Sequence, residues 1–306
     1  MRDRATIAAF LVCALLAGGN AVAVRFSNHE LAPLWGATLR FAVATAILLT
    51  VVAVLRLPLP RGRALVGSIL YGLLAFAAAF AFLYWGLQWA GAGLGQIVLA
   101  LVPLLTFLLA VAQGLERFRW QALIGAMVAV GGIAIIFGDQ VRASVPALAL
   151  LAIIAGAACM AESNVVIKMF PRAHPLATNA VAMGVACLVL LAASVITGES
   201  LRLPERAETW LAVAYVSVIG SVVVFSLFLF VIARWSASAS SYVMLIIPLV
   251  TVVAASALDH ETVTLAYFVG GPLVLAGVYV GAFARPLLRF HPRAHEPPSA
   301  VNPGCA

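Results

Sequence analysis

The chain has 306 residues, 64% of them hydrophobic and only 9% charged, with a mean hydropathy of +1.12. A soluble domain carries roughly a quarter charged residues, so this composition excludes a globular protein with a polar surface. The formal charge of +7 would suit a nucleic-acid binder, but the arginines stand singly or in pairs at the ends of apolar blocks, which signals membrane topology and argues against a nucleic-acid partner.

The apolar blocks show no period-two alternation, so a β-barrel is excluded. They are about 20 residues long, the length a bilayer requires of a helix. Ten membrane-spanning helices are predicted near residues 6–26, 33–55, 65–86, 92–112, 120–138, 145–167, 176–196, 210–233, 237–258 and 265–283. The start, "MRDR" before an apolar stretch and "AVA", imitates a secretory signal. It is read as an uncleaved first span carrying Asn20. The second span begins at Pro33 and carries Arg40 about 10 Å below its outer end, at 1.5 Å per residue. Snorkelling outward is the favoured reading of Arg40, and carboxylate binding the alternative. The third span is rich in rings. Tyr84, Trp85 and Trp89 suit an interfacial belt, whereas Phe76 and Phe80 lie one turn apart at mid-depth and either line a cavity or pack. Gln96 in the fourth span and Tyr242 in the ninth are polar groups in apolar helices and are lining candidates. Pro103 and Pro248 lie mid-span, where proline kinks a helix, so they mark either a hinge or a packing shape.

The sixth span contains Glu162, the one acid well inside a predicted helix. It either binds a substrate amine or carries a proton, or it reaches toward Lys168 and water at the membrane edge. Asn20 and the cluster Glu162, Ser163 and Asn164 hold corresponding places in spans one and six. They either contact a zwitterionic ligand or make interhelical hydrogen bonds. Cys13, Cys159, Cys187 and Cys305 show no metal or redox spacing. No metal site, cofactor motif, HExxH or GxSxG sequence is present, so neither a cofactor nor enzymatic activity is expected.

With the N-terminus in the cytoplasm, the inner turns hold Arg2, Arg4, Arg56, Arg61, Arg63, Arg117, Arg119, Lys168, Arg172, Arg234, Arg285, Arg289 and Arg293. The outer turns hold only Arg25, Arg142, Arg202 and Arg206. This bias places both termini in the cytoplasm, with 285–306 as a disordered tail. The chain also repeats itself. Residues 86–136 laid over 231–281 pair Pro103 with Pro248, Thr106 with Thr251, Glu116 with Glu261, Gly125 with Gly270 and Gly132 with Gly277. "GGNAVAVRF" resembles "ESNVVIKMF", pairing Asn20 with Asn164, and Pro33 then meets Pro175. Five spans per copy is odd, so the copies must cross the bilayer in opposite senses. The turn "GLERFRW" would lie inside and "DHETVTL" outside, which explains arginine in one and threonine in the other. Glu116 and Glu261 precede spans five and ten, where a carboxylate faces the positive helix end and stabilises by about 0.3–1 kcal/mol. Inverted repeats with a site at their interface are a transporter architecture.

The run from "YWGLQWAGAGLGQIVLALVPLLTFLLAVAQGLERFRW" to "GGIAII", its echo at 231–281 and the opening with Asn20, Pro33 and Arg40 resemble the EamA family of the drug/metabolite transporter superfamily. The resemblance covers about residues 5–284. It implies two inverted units, 5–138 and 145–284, around a cavity, and export of amino acids or other small metabolites across a bacterial inner membrane. The second copy departs from the pattern at Met160-Ala161-Glu162, and it carries Ala182 where a strict repeat would carry Arg40's equivalent. An exporter of amphipathic drugs or a lipid flippase is the alternative, and a passive channel a weaker one. A small-molecule substrate and the bilayer are the expected partners, with the protein a monomer or homodimer.

Overall fold

The computed structural model describes residues 4–87, 89, 92–138, 145–258 and 265–283. Glu261, the segment around Arg142, Cys305 and the expected tail lie outside the described residues. Among those described, the chain is helical throughout: α1 (Arg4–Asn28), α2 (Pro33–Val54), α3 (Arg63–Leu87), α4 (Ala92–Leu99 and Val102–Ala112), α5 (Trp120–Phe137), α6 (Ala147–Met169), α7 (Pro175–Ile196), α8 (Ala207–Arg234), α9 (Ala237–Ser241 and Val243–Leu258) and α10 (Leu265–Phe283). The boundaries follow local chemistry. Pro33 and Pro175 occupy the first turns of α2 and α7, where a missing N–H costs nothing. Gly114 and Gly198 adopt φ values of 72° and 73° just past α4 and α7, the left-handed turn that ends a helix.

The two halves are inverted. Pro175 at the start of α7 lines one cavity with Arg234 and Trp235 at the end of α8 and Ala64 at the start of α3. The start of α2 meets Glu199 beyond the end of α7, and the start of α8 meets Glu30 beyond the end of α1. Helices α2 and α7, equivalent in sequence, therefore begin at opposite ends of the bundle. Packing obeys the same two-fold relation. Helix α2 packs along α7 and α5 along α10, while α3 against α6 is matched by α8 against α1 and α4 against α6 by α9 against α1.

Lipid supplies no hydrophobic drive between helices, so small residues that admit close contact hold such bundles together. A Cβ added at Gly277 would sit 2.5 Å from the Gly125 carbonyl oxygen, and one at Gly132 would sit 2.7 Å from that of Gly270. The sequence repeat pairs Gly125 with Gly270 and Gly132 with Gly277, so each of these contacts is the symmetry image of the other. Both α3 and α8 also contain a π-helical turn, Leu73–Ala78 and Val218–Val223, and these turns fall at equivalent positions of the repeat. Such turns widen a helix locally and recur at functional sites. The prolines break the symmetry. Pro103 follows a break at Ala100 and Leu101, whereas Pro248 lies inside continuous helix beyond a break at Tyr242.

Candidate functional site

A cavity of about 1020 Å³ opens between the halves at the end where the basic residues gather. Its rim carries exposed Pro171, Arg172 and His174. Its walls come from the start of α3 (Ala64, Ser68), the end of α6 and the start of α7, and the second half of α8. It reaches inward as far as Val222, about 18 Å along α8 from Arg234 at 1.5 Å per residue. That exceeds half of a hydrocarbon core roughly 30 Å thick. Several charged groups around it are already engaged. Lys168 Nζ donates to the carbonyls of Ile232 (2.8 Å) and Trp235 (2.7 Å), capping the end of α8. Arg234 stands 3.5 Å over the Phe230 ring. His174 Nδ1 accepts from the Leu176 N–H at the start of α7.

Glu116 has a different task from the one expected of it. Arg119 precedes α5 and no side chain caps that helix. Glu116 instead accepts from the Ser238 N–H at 2.9 Å and from the Ser238 hydroxyl, at the start of α9 in the other half. The left-handed turn at Gly114 ends α4 and delivers the acid there, two residues on. The sequence reading chose the correct chemistry, a carboxylate at a helix N-terminus, and the wrong helix.

At the opposite end of the bundle the same device joins the two halves among the described residues. Glu199, delivered by the Gly198 turn, accepts from the N–H groups of Leu34 (3.1 Å) and Trp35 (2.8 Å) and from the Ser194 hydroxyl (2.9 Å). Trp35 Nε1 donates to the Arg202 carbonyl. Glu30 accepts from the N–H groups of Glu205 and Arg206 at the start of α8. The Thr209 hydroxyl, with those N–H groups, holds the Glu30 carboxyl below the usual carboxylate range. Three acids thus each cap a helix of the other half, one at the basic end and two at the far end.

None of the eight binding candidates picked from the sequence lines this cavity. Glu162 sits near the basic end of α6, where both its oxygens accept from Gln113 Nε2, at 3.0 and 2.8 Å. Ser163 bonds back to the Met160 carbonyl of its own helix. Asn164 donates to the Thr106 hydroxyl on α4, and Tyr242, fully buried, donates to the Ala122 carbonyl. Gln96 is half-buried on α4, and its side chain makes no hydrogen bond among the described residues. Phe76 is fully buried, packed edge-on to Phe225 at 4.6 Å and touching Tyr71 and Phe41. Phe80 joins the same cluster through Phe41. Lys168, Arg172, His174 and Ser226 line the cavity without being binding candidates from the sequence; Lys168 and Arg172 stand there as topology markers, Lys168 also as a group for Glu162 to reach, and His174 and Ser226 carry no signal.

Arg40 does not snorkel. It is 4% exposed, with Nε 2.7 Å from the Ser221 hydroxyl and Nη2 3.0 Å from the Gly220 carbonyl, both in the π turn of α8. Its guanidinium carbon lies 5.4 and 5.5 Å from the ring centres of Phe41 and Phe80, within cation–π range. No carboxylate pairs with it among the described residues. Asn20 on α1 packs against Gly220, and its Oδ1 is buried without a partner. Asn20 and Arg40 therefore meet on one turn of α8.

The profile of the EamA-like transporter family matches residues 4–138 and again 147–282. A "Probable amino-acid metabolite efflux pump" of Escherichia coli K12 is 24% identical over 284 residues, covering 89% of this chain and 93% of the relative. The "Uncharacterized inner membrane transporter YedA" of the same strain is 26% identical and covers 86% of each. A "Probable terminal-alkyne amino-acid exporter" of Streptantibioticus cattleyicolor is 27% identical over 78% of this chain and 80% of the relative. A solved structure described only as "Crystal structure of protein" superposes with a TM-score of 0.74 over 90% of this chain and 96% of that one, at 20% identity. That last likeness bears on fold alone.

Proposed function

Because the chain belongs to the EamA-like transporter family, we propose that it is a secondary transporter of a bacterial inner membrane that exports amino acids or similar small metabolites. The observation that carries this reading is the cavity of about 1020 Å³ at the basic end, with the halves joined at the far end, among the described residues, through Glu30 and Glu199. The excess of Lys and Arg assigns the basic end to the cytoplasm. The arrangement then corresponds to a state loading substrate from inside. Rocking of unit 5–138 against unit 145–284 would close the cytoplasmic rim and release the two outer latches, exposing the site to the other side. A cavity of this size accommodates a free amino acid with its water.

Names of relatives support the substrate class: two of those above are described as moving amino acids or their metabolites. Counterflow in proteoliposomes tests the reading. Vesicles loaded with unlabelled amino acid should accumulate the labelled form transiently and saturably. Leakage without saturation would instead indicate a channel. The second reading, an exporter of amphipathic drugs or lipids, is favoured by a separate apolar groove of about 370 Å³ between α3 and α6, lined by Phe82, Trp85, Leu148, Leu151, Ala152 and Ala155. Movement of a fluorescent phospholipid between leaflets, with no amino-acid counterflow, would support that reading.

A further inference from the structure

The polar residues on the two sides of the pseudo-two-fold axis differ in how far they are satisfied. On one side lie Asn164, Ala182 and Gly72. Asn164 is bonded to Thr106. Ala182, in place of an arginine, packs so closely on α3 that a Cβ added at Gly72 would lie 2.7 Å from its Cα. On the other side, Asn20 of the first copy keeps its Oδ1 buried and unpartnered. Arg40 uses Nε and Nη2 on the π turn and leaves Nη1 without a hydrogen bond among the described residues. Ser217, one turn before Ser221 on α8 and fully buried, has an unpartnered hydroxyl. Its equivalent in the first copy is Gly72, which has no side chain to satisfy. Around the π turn of α8, Asn20 Oδ1 and the Ser217 hydroxyl are thus buried without partners and Arg40 keeps one nitrogen without a hydrogen bond among the described residues, whereas the symmetry-related side has Asn164 bonded and no polar side chain at positions 182 and 72.

The chemistry of these groups is specific. A guanidinium about 10 Å below the membrane surface, with no acid to neutralise it among the described residues, strongly favours an anion that can accept from its free edge. A buried amide oxygen with no donor favours an N–H. One ligand that brings both, a carboxylate and an ammonium on adjacent atoms, is an α-amino acid. The ring cluster links this point to the open cavity: Phe225 adjoins cavity-lining Ser226 and contacts Phe76, Phe76 contacts Phe41, and Arg40 lies over Phe41 and Phe80.

We propose that Arg40, Asn20 and Ser217 form the amino-acid recognition site at the π turn of α8. Arg40 takes the substrate carboxylate through its free edge, Asn20 Oδ1 takes the ammonium, and the Phe76–Phe225 pair is the partition between cavity and site. The inference rests on the amino-acid reading given above and adds to it the anchor residues. The ligand contacts are non-covalent, and Arg40 keeps its hold on Gly220 and Ser221 throughout. The π turn therefore presents the guanidinium without spending all of its donors.

The test uses the full chain in proteoliposomes and counterflow of labelled leucine, phenylalanine and threonine. For whichever of these the wild type carries, the corresponding amine lacking the carboxylate and the N-acetyl derivative lacking the ammonium should each compete at least about 10-fold more weakly than the parent amino acid, because a lost charge-assisted hydrogen bond costs at least that much. Arg40→Gln should raise KM about 10- to 100-fold, with Arg40→Lys in between and Asn20→Ala weakening competition by amines specifically. Phe76→Ala should raise the entry rate. If Arg40→Gln does not yield folded protein, the analogue series on the wild type decides. An amine that competes as well as its amino acid, or a folded Arg40→Gln with KM within two-fold of wild type, would reduce Arg40 to a brace for the π turn and overturn the site while leaving the amino-acid reading intact. No counterflow of any of the three by intact wild type would overturn that reading and the site with it.

Discussion

Substituting Gly277 by alanine probes the seam about which the halves are related. The added Cβ would stand 2.5 Å from the Gly125 carbonyl oxygen and 2.6 Å from the Ala129 nitrogen, both backbone atoms, whereas real Cβ contacts essentially never fall below 3.0 Å. Helices α5 and α10 would have to separate by at least about 0.5 Å along a seam where Gly132 and Gly270 are equally close. Overpacking of this kind costs about 1–3 kcal/mol, partly offset by the roughly 1 kcal/mol that alanine gains over glycine in a helix. Gly131→Ala, on the same stretch of α5 but with nothing within 4 Å of its added Cβ, takes the gain without the cost and serves as the internal control. Thermal unfolding of the detergent-purified protein, followed by size-exclusion chromatography, should show Gly277→Ala melting about 2–10 °C below Gly131→Ala, from the usual scaling of melting temperature with free energy. Gly132→Ala should behave like Gly277→Ala because the two contacts are symmetry images. Equal melting of all three variants would refute the close seam.

Glu199→Gln removes the charge that holds the N-terminus of α2. A loss of about 1 kcal/mol is expected, read as a lower melting temperature and as greater reactivity of a cysteine placed at position 34 toward a water-soluble maleimide. Glu30, whose carboxyl is held below its usual range, supports the far end at any pH above about 4.3, the unfolded glutamate value. That support is lost as the pH falls through the lower folded value, so reactivity at position 205 should rise only in strongly acidic medium and Glu30→Gln should abolish the rise. Glu162→Gln is expected to leave the pH profile of transport unchanged, because the acid pairs with Gln113 outside the cavity; a flattened profile would restore Glu162 as a proton carrier.

The spans were readable because membrane helices are written in composition: each of the ten lies within three residues of its expected limits among the described residues, and the bundle's inversion followed from an odd number of spans per repeat. What escaped the sequence was contact across the halves. Glu116 and Glu199 cap helices more than a hundred residues away, and nothing local distinguishes them from acids that cap the next helix. Arg40 read as a snorkelling residue because its depth was legible but the π turn that receives it was not: a single widened turn leaves no periodic trace in an apolar run. Asn20 stands out in the sequence as a polar residue in a hydrophobic helix, yet Gly220, which it packs against, is invisible as one glycine among 24. Cavity walls were missed for a related reason, since Lys168 and Arg172 serve both topology and lining and only the first role shows in a one-dimensional count.

Access to Ser226 measures the central claim most directly. In protein freed of its native cysteines, Ser226→Cys in sealed vesicles of known orientation should react with a membrane-impermeant maleimide from the side that labels Arg61→Cys and resist it from the side that labels Arg206→Cys. Labelling of Ser226→Cys from the Arg206 side alone, or of positions 61 and 206 from one and the same side, would contradict a cytoplasm-facing cavity shared by two inverted halves.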